Sequence, residues 1–383
     1  MKIFKLVVKI FFGLVLAATV LVGVYVGYFV VAYSRIGNVE ITVEKDSEVS
    51  ASLITTNTDY TITTYNIGFG AYNPDFSFFM DAGQMVDEGL ESDYHGQYVS
   101  GVRGKAENRE VVLSDTNGAI DTINTISPDF MFFQEVDVQS TRSFFVNQQA
   151  MMVEEWQDYQ LTFTKNFHCA YIAYPFNDPM GAVQSGLLTM SKYDISSANR
   201  IELPIASDLS KFTDLDRCIV VNRFSLQGSD KQLVMINVHL SAYDEGGLIR
   251  QAQLETLTKI MAAEYRLGNY VIAGGDWNHV LTDFATTNSF ATKQVQPEWV
   301  YYLDQADLEN AESAMSNFSI VAGTNNPTCR SSDMAYIEGV NYACVIDGFV
   351  VSDNVENVSI TNIDNQFAYS DHQPVSFTFS LEG

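Results

Sequence analysis

The sequence predicts an α/β sandwich, two packed sheets with helices outside, carried behind one N-terminal membrane-spanning helix. Three observations lead there. Strand-like runs outnumber helical ones along the body, and the helices are interspersed among them. Hydrophobic residues make up 46% of the 383-residue chain and aromatics 13%, which supplies a large core and excludes a disordered protein. No charged residue occurs from Ile10 to Ser34.

Taken in order, residues 1–9 are a short basic segment with Lys2, Lys5 and Lys9. The uncharged run 10–34 spans roughly 37 Å as a helix, enough for a hydrocarbon core of about 30 Å with some tilt. Basic residues before the run and none of the acids predict a cytoplasmic N-terminus. The reading is therefore an uncleaved signal anchor at the cell membrane, single-pass, with the body extracytoplasmic. A cleaved signal peptide is its rival, although Val30-Val31-Ala32-Tyr33 offers no good cleavage site. Residues 35–58 are polar and rich in Ser and Thr, a linker or an irregular first strand. The folded domain is expected over 59–383.

Within that domain, Tyr60–Ile67, Asp129–Val136, Gly186–Met190, Cys218–Phe224, Leu233–Leu240, Tyr270–Ala273, Val345–Val351 and Val375–Phe379 read as strands. Residues 105–126 read as a helix stopped by Pro128. Gly246–Leu267 reads as a second helix. Its Leu254, Leu257, Met261 and Tyr265 recur at helical spacing and Gly268 supplies the stop.

Charge narrows the function. The chain carries 21 − 47 = −26. Lys2, Lys5, Lys9 and Arg35 are the charges of residues 1–39, so the remainder holds 17 − 47 = −30. Such a body repels long polyanions, which disfavours duplex nucleic acid as a partner. Four cysteines without a Cys-x-x-Cys are too few for a disulfide scaffold and do not suggest structural zinc. Pairing of Cys329 with Cys344 and free buried thiols are equal alternatives.

Polar residues stand at the ends of strand runs where a plain core strand needs none. They are Asn66, Glu135 in Phe-Gln-Glu-Val, His239 in Asn-Val-His-Leu, and Asp276 and Asn278 in Gly-Gly-Asp-Trp-Asn-His. Further on stand Asp347 in Ile-Asp-Gly-Phe, and Asp371 and His372 in Ser-Asp-His-Gln-Pro-Val. Carboxylate and amide oxygens suit Mg²⁺ or Mn²⁺, and imidazoles with carboxylates suit acid–base work. No Gly-x-Ser-x-Gly nucleophile motif occurs.

This set, in this order, resembles the endonuclease/exonuclease/phosphatase superfamily over roughly residues 60–380. Gly-Asp-x-Asn and the terminal Ser-Asp-His are its most specific pieces. The resemblance implies a four-layer α/β sandwich and a divalent-metal-dependent phosphoester hydrolase using Mg²⁺, with Mn²⁺ or another divalent cation as alternatives. It implies that Asn66 and Glu135 hold the metal, with Asp371 at or near it. Asp276 would deprotonate the attacking water and Asn278 would bind a phosphoryl oxygen. His372 would contact the phosphate and pair with Asp347. His239 would be a general acid or a phosphate-binding group. Water would attack phosphorus directly, without a covalent enzyme intermediate.

Arg142 and Arg217 are further candidates for phosphate contact. His95, His168 and His279 have no assigned role and read as structural, and Lys105 and Arg109 read as a solvated helix start. Compared with compact nucleases the chain carries an extra segment, about 69–104, with Phe69, Tyr72, Phe76, Phe78, Phe79, Tyr94 and Tyr98. It is a packed cap, a lid, or a surface that meets lipid. The expected substrate is a lipid headgroup or a small phosphoester. An extracytoplasmic nuclease is the alternative, and an idle surface binding protein the weaker one.

Overall fold

The computed structural model of the protein describes residues 2–44, 52–86, 96–212, 214–242, 244, 246–290 and 292–383. His95, Tyr94 and the Ser and Thr positions 47 and 50 fall outside the described residues. Among those described, two mixed sheets of seven and six strands pack face to face and helices cover both outer faces.

Each sheet is centred on one β–α–β crossover. In the six-stranded sheet, strand Tyr60–Asn66 is followed by helix Arg109–Ile126 and then by the parallel strand Phe130–Asp137. In the seven-stranded sheet, Gln232–His239 is followed by helix Leu248–Arg266 and then by the parallel strand Tyr270–Asp276. Parallel strands buried on both faces read as near-continuous apolar runs, which is what Phe130–Phe133 and Leu233–Ile236 are. Strands Asp347–Ser352 and Val375–Leu381 join these pairs antiparallel.

The inter-sheet core contains Ile62, Phe132, Phe377, Met235, Ile272 and Phe349. Leu254, Leu257 and Met261 of the second helix seal the outer face of the seven-stranded sheet against Val234 and Val271. Ala119, Ile120 and Ile123 of the first do the same for Met131 and Phe133. The expected four-layer order is thus observed.

Several boundaries shift. The first helix starts at Arg109 because Asn108 caps it, its side chain accepting from Val111 N at 2.9 Å. Lys105 lies before the helix and pairs with Asp178 at 3.1 Å. The second helix ends before Gly268, whose φ of +82° is the left-handed geometry expected after a helix terminus. The long strand Gln160–Ile172 and strand Val355–Asn362 were not anticipated. Each pairs antiparallel with the next strand in sequence, Gly181–Ser191 and Val375–Leu381, and polar residues interrupt both runs.

The N-terminal helix runs Lys2–Ala32, with a mean hydropathy of 2.5 over its most apolar window and only Phe29 buried. It is long and apolar enough to cross a membrane, a property that signal sequences share. Its last turns touch the body. The Tyr25 hydroxyl donates to the Tyr171 carbonyl at 2.9 Å, and the Tyr33 ring meets Phe212 edge-on at 4.9 Å. The linker expected over 35–58 is packed onto the body wherever it is described. Arg35 Nε donates to Asp216 at 2.8 Å, and Val39–Glu40 adds an edge strand beside Ile195–Glu202. Asp216 is ringed by His168, Arg35 and Arg200, which hold its carboxyl down at about 2 against the opposing effect of burial.

Candidate active site

Parallel strands end at the same edge of a sheet, and here both parallel pairs end at the same edge of the sandwich. Register places His239 opposite Asp276 and Asp276 opposite Asp347. Asn66 lies opposite Gln134 in the other sheet. The ends line a cavity of about 900 Å³. Asn66, Glu135, Arg142, Arg217, His239, Asp276, Asn278, Asp371 and His372 all face it. Asp347 lies directly behind His372.

Two local distortions aim the side chains. The strand Phe130–Asp137 bulges between Phe133 and Val136, and Glu135 adopts φ +56°. A bulge turns a residue out of the strict alternation, which sends Glu135 into the cavity while its neighbours stay in the core. Asn278 has φ +50°, a conformation asparagine tolerates better than most residues. Strained backbone of this kind persists where surrounding structure over-determines it. Gly275 is required for a simpler reason. A Cβ there would stand 2.1 Å from the Val238 carbonyl oxygen, and φ is +144°.

Asp276 is the hub. Its Oδ1 accepts from Asn278 N at 2.9 Å and its Oδ2 from Asn66 Nδ2 at 3.0 Å. The Nε2 atoms of His239 and His372 stand 3.6 and 3.7 Å from Oδ2. Burial pushes the Asp276 carboxyl up to about 7, with the neighbouring Asp347 adding to it and His372 opposing. His372 Nδ1 pairs with Asp347 Oδ2 at 2.8 Å. Burial opposes charge on His372, but Asp347, Cys329 and Asp276 together outweigh it and raise the imidazole well above its usual value. His239 stands 3.6 Å from Asp276 but makes no hydrogen bond to a carboxylate like that of His372 with Asp347. Burial and then Arg217 push it well below its usual value, so it is neutral at pH 7.

The other half is more open. The Glu135 side chain is 24% exposed, against 2% for Asp276. Burial raises its pKa, Arg142 opposes, and the carboxylate of Asp371 raises it further. Asn66 takes Gly68 N–H on its amide oxygen at 3.0 Å and turns its NH₂ toward Asp276 and, at 3.5 Å, Glu135. Its amide oxygen is therefore engaged by backbone, and the residue positions both carboxylates.

Arg142 departs from the expectation of a free phosphate contact. Its guanidinium forms two bonds with Asp137, at 2.9 and 3.1 Å, and stacks 3.8 Å from the Phe69 ring centre. One nitrogen reaches Glu135 Oε2 at 3.5 Å. Arg217 keeps more of its fork available. It donates once, to the His239 carbonyl at 3.3 Å, and its buried Nε has no partner. His279 is held through Nδ1 at 2.7 Å from the Trp277 carbonyl, away from the catalytic hub.

Sequence reasoning missed the supports. Gln134 donates to Asn237 across the two sheets at 2.9 Å, and Asn237 donates to the Leu188 carbonyl at 3.1 Å. Asp137 fixes Arg142, and Ser332 donates to Asp371 at 3.1 Å. Polar residues inside otherwise apolar strands were the available signal for Gln134 and Asn237. Nothing local marks Ser332. All four cysteines are free; Cys329 and Cys344 face one another across a short ladder without bonding.

The donor set fits a divalent cation. Glu135 and Asp371 are neighbouring hard-oxygen carboxylates at the cavity, with the repulsion between them registered in Glu135. Oxygen ligands of this kind suit Mg²⁺-like ions. A second group, Asp276, Asp347 and His372, has ligand atoms within 4.8 Å of one another. There the imidazole is committed to Asp347, and in its protonated form has no lone pair to give. That group is better suited to proton chemistry.

Fold and site together define a phosphoesterase framework of the metal-dependent kind. The family model for the endonuclease/exonuclease/phosphatase family matches residues 63–372, and the chain belongs to that family. No curated protein matches the sequence significantly. Among solved structures, the endonuclease/exonuclease/phosphatase from Beutenbergia cavernae DSM 12333 is similar with 16% identity and a TM-score of 0.52, over 85% of this chain and 72% of that one. A family protein from Leptotrichia buccalis C-1013-b has 14% identity and a TM-score of 0.51, over 84% and 100%. The human Nocturnin catalytic domain with bound sulfate has 14% identity and a TM-score of 0.50, over 86% and 97%. At these identities the likeness is one of fold.

Proposed function

We propose that the protein is a membrane-anchored, divalent-metal-dependent phosphoester hydrolase whose catalytic body lies outside the cytosol. Its substrate would be a lipid headgroup or small phosphoester, attacked directly by water. The observation that carries the chemistry is the buried Asp276 carboxyl, held by Asn278 N and Asn66 and backed by the His372–Asp347 pair, with burial raising its pKa. A general base works best with a pKa near the operating pH.

Glu135 and Asp371 would hold the cation, which is Mg²⁺ or Mn²⁺ by its ligand chemistry, with Asn66 orienting the carboxylates. A bound divalent cation supplies Lewis-acid stabilisation of charge on phosphoryl oxygen. Asp276, oriented by Asn66 and Asn278 N–H, would take the proton of the attacking water. His372, held cationic by Asp347, would donate to a phosphoryl oxygen as charge grows there. Arg217 offers a second cationic donor to the same group. The Asn278 amide donates to the Leu240 carbonyl at 2.7 Å, which leaves its oxygen side and backbone to shape the pocket. Neutral His239 can donate one N–H toward a leaving oxygen.

Charge separates the lipid or small-ester reading from the nuclease one. A body carrying −30 opposes approach of a polyanion. The purified full-length protein should hydrolyse bis(p-nitrophenyl) phosphate in Mg²⁺ and lose that activity in excess EDTA. Activity unaffected by chelation would defeat the metal assignment, and preferential cleavage of single-stranded DNA would move the reading to nuclease. For the anchor, the mass of the protein recovered from membranes should include residues 2–32. Externally added protease should trim the body in intact cells.

A further inference from the structure

We infer that the mouth of the active site is pressed onto the surface of the membrane its own helix spans, through the loop 171–176, and that the phosphoester it takes is borne by a bilayer lipid. This deepens the anchored-hydrolase reading and rests on it. Two independent features of the molecule support it.

The first is depth. Starting at Ile10, just past Lys9, about 20 helical residues cover ~30 Å of hydrocarbon. That brings the far boundary close to Phe29. Tyr25 lies one turn earlier, and its hydroxyl donates to the Tyr171 carbonyl and accepts from Ala173 N at 3.3 Å. Whatever depth Tyr25 takes, the backbone at 171–173 shares it. Tyrosine is a residue of the membrane–water interface, and Tyr171, Tyr174 and Phe176 are 38%, 53% and 86% exposed. Exposed aromatic side chains on a loop tied to a membrane helix have one natural neighbour, the lipid headgroup layer.

The second is continuity between that loop and the chemistry. Aromatic rings form an unbroken ladder from the tip inward. Phe176 meets Tyr174 at 5.6 Å, Tyr174 meets Phe79 at 5.3 Å, and Phe79 meets Phe78 at 4.9 Å. Phe78 meets Tyr72 at 5.9 Å and Tyr72 meets Phe69 at 5.3 Å. Phe69 carries the guanidinium of Arg142, which reaches Glu135. Tyr72, Phe78, Phe79 and Tyr174 all line the cavity. A fully water-soluble phosphoester has no use for an apolar wall of this length. A lipid has, because the stem below its phosphate stays in apolar contact while the phosphate advances to Glu135. Most of the ladder comes from the extra segment 69–104, which gives that insertion its role. The body's charge points to apolar rather than electrostatic attachment, since anionic lipid would repel it.

The test uses the full chain reconstituted in zwitterionic phosphatidylcholine vesicles. Phe176→Trp should show fluorescence, above the wild-type background, that brominated phosphatidylcholine quenches at least twofold. Leu267→Trp, at an exposed site at the opposite end of the sandwich, should not be quenched. Equal lack of quenching at both positions would overturn the docking. In parallel, vesicles of mixed phosphatidylcholine, phosphatidylethanolamine, phosphatidylglycerol and phosphatidylinositol are assayed for headgroup release, beside bis(p-nitrophenyl) phosphate in solution. Phe176→Asp should lower headgroup release at least tenfold and leave the soluble ester unchanged. Turnover of the soluble ester with no headgroup release by the wild type would overturn the lipid assignment. Turnover of neither would instead count against the hydrolase reading beneath it.

Discussion

The two sheets deliver their chemistry to the cavity in opposite styles. From the seven-stranded sheet come Asp276 and Asp347, each buried, with His372 bridging them at 2.8 Å from Asp347 and 3.7 Å from Asp276. From the six-stranded sheet come Asn66 and the bulged Glu135, the latter partly open to the cavity and facing Asp371. The first half is buried and largely hydrogen-bonded within the protein, through the His372–Asp347 pair and the bonds to Asp276. The second is left acidic and incompletely paired. Proton transfer needs fixed partners in a low-dielectric setting, whereas a hard cation needs oxygens with capacity to spare. Under the proposed mechanism, base and electrostatic work would fall to one half and cation binding to the other.

The largest effects should come from the closed half. Asp276→Asn should lower kcat by about 10²–10⁴-fold with the fold intact, the scale of a general acid–base contribution. Asp347→Asn and His372→Ala should each lower kcat, and the double variant should lose far less than the product of the two. Groups in contact are non-additive because the second loss strikes a partner already disabled. Strictly multiplicative losses in steady-state kinetics would separate His372 from Asp347 and break the closed half into independent parts.

In the open half, Glu135→Gln should remove activity at subsaturating Mg²⁺ and leave the thermal transition nearly unchanged. Excess metal should restore part of it, since a neutral amide keeps the shape but weakens a hard-cation site. Full activity of this variant at low Mg²⁺ would erase the difference between the halves.

The pH profile separates them more finely. Asp276 must be ionised to act as a base, so with its pKa near 7, log kcat/KM should fall with unit slope below about pH 7. His372, raised well above its usual value, should keep its charge through this window and add no limb below it. A flat profile from pH 5 to 8 would remove Asp276 as the base.

The smallest effect concerns the support of the open half. Asp115, on the helix packed behind the turn after Asn66, is buried with Oδ2 unpartnered, and burial raises it to about 8. The folded pKa exceeds the unfolded one, so stability is lost as pH climbs from about 4 to 8. Asp115→Asn should therefore raise Tm at pH 9 relative to wild type and change it little at pH 4. Calorimetry at the two pH values checks this.

Much of the molecule follows from local rules. The uncharged run to Ser34 gives a helix because it is apolar throughout, and Leu254, Leu257 and Met261 fall on one helical face. The parallel strands are legible because burial on both sides makes them continuously apolar. The motif residues Asp276, Asp347 and His372 could be read in advance because polar groups at the ends of such runs have no packing reason to be there. Strand Gln160–Ile172 carries the polar–apolar alternation of a half-buried strand over its first residues, and its pairing with Gly181–Ser191 fixes which face is buried.

Other features required the tertiary structure. The sequence by itself determined which residues are polar at strand ends, since that is a property of composition along the chain. It could not decide how those residues divide the labour. Arg142, expected as a phosphate contact, lines the cavity with its guanidinium bonded to Asp137 and stacked on Phe69. Asn66, expected as a metal ligand, also takes the Gly68 N–H on its oxygen and donates to Asp276. The ladder from Phe176 to Phe69 joins residues 107 positions apart, and no periodicity links them. Side-chain roles depend on burial, hydrogen-bond competition and charge neighbours. These arise only when strands distant in sequence end at one edge.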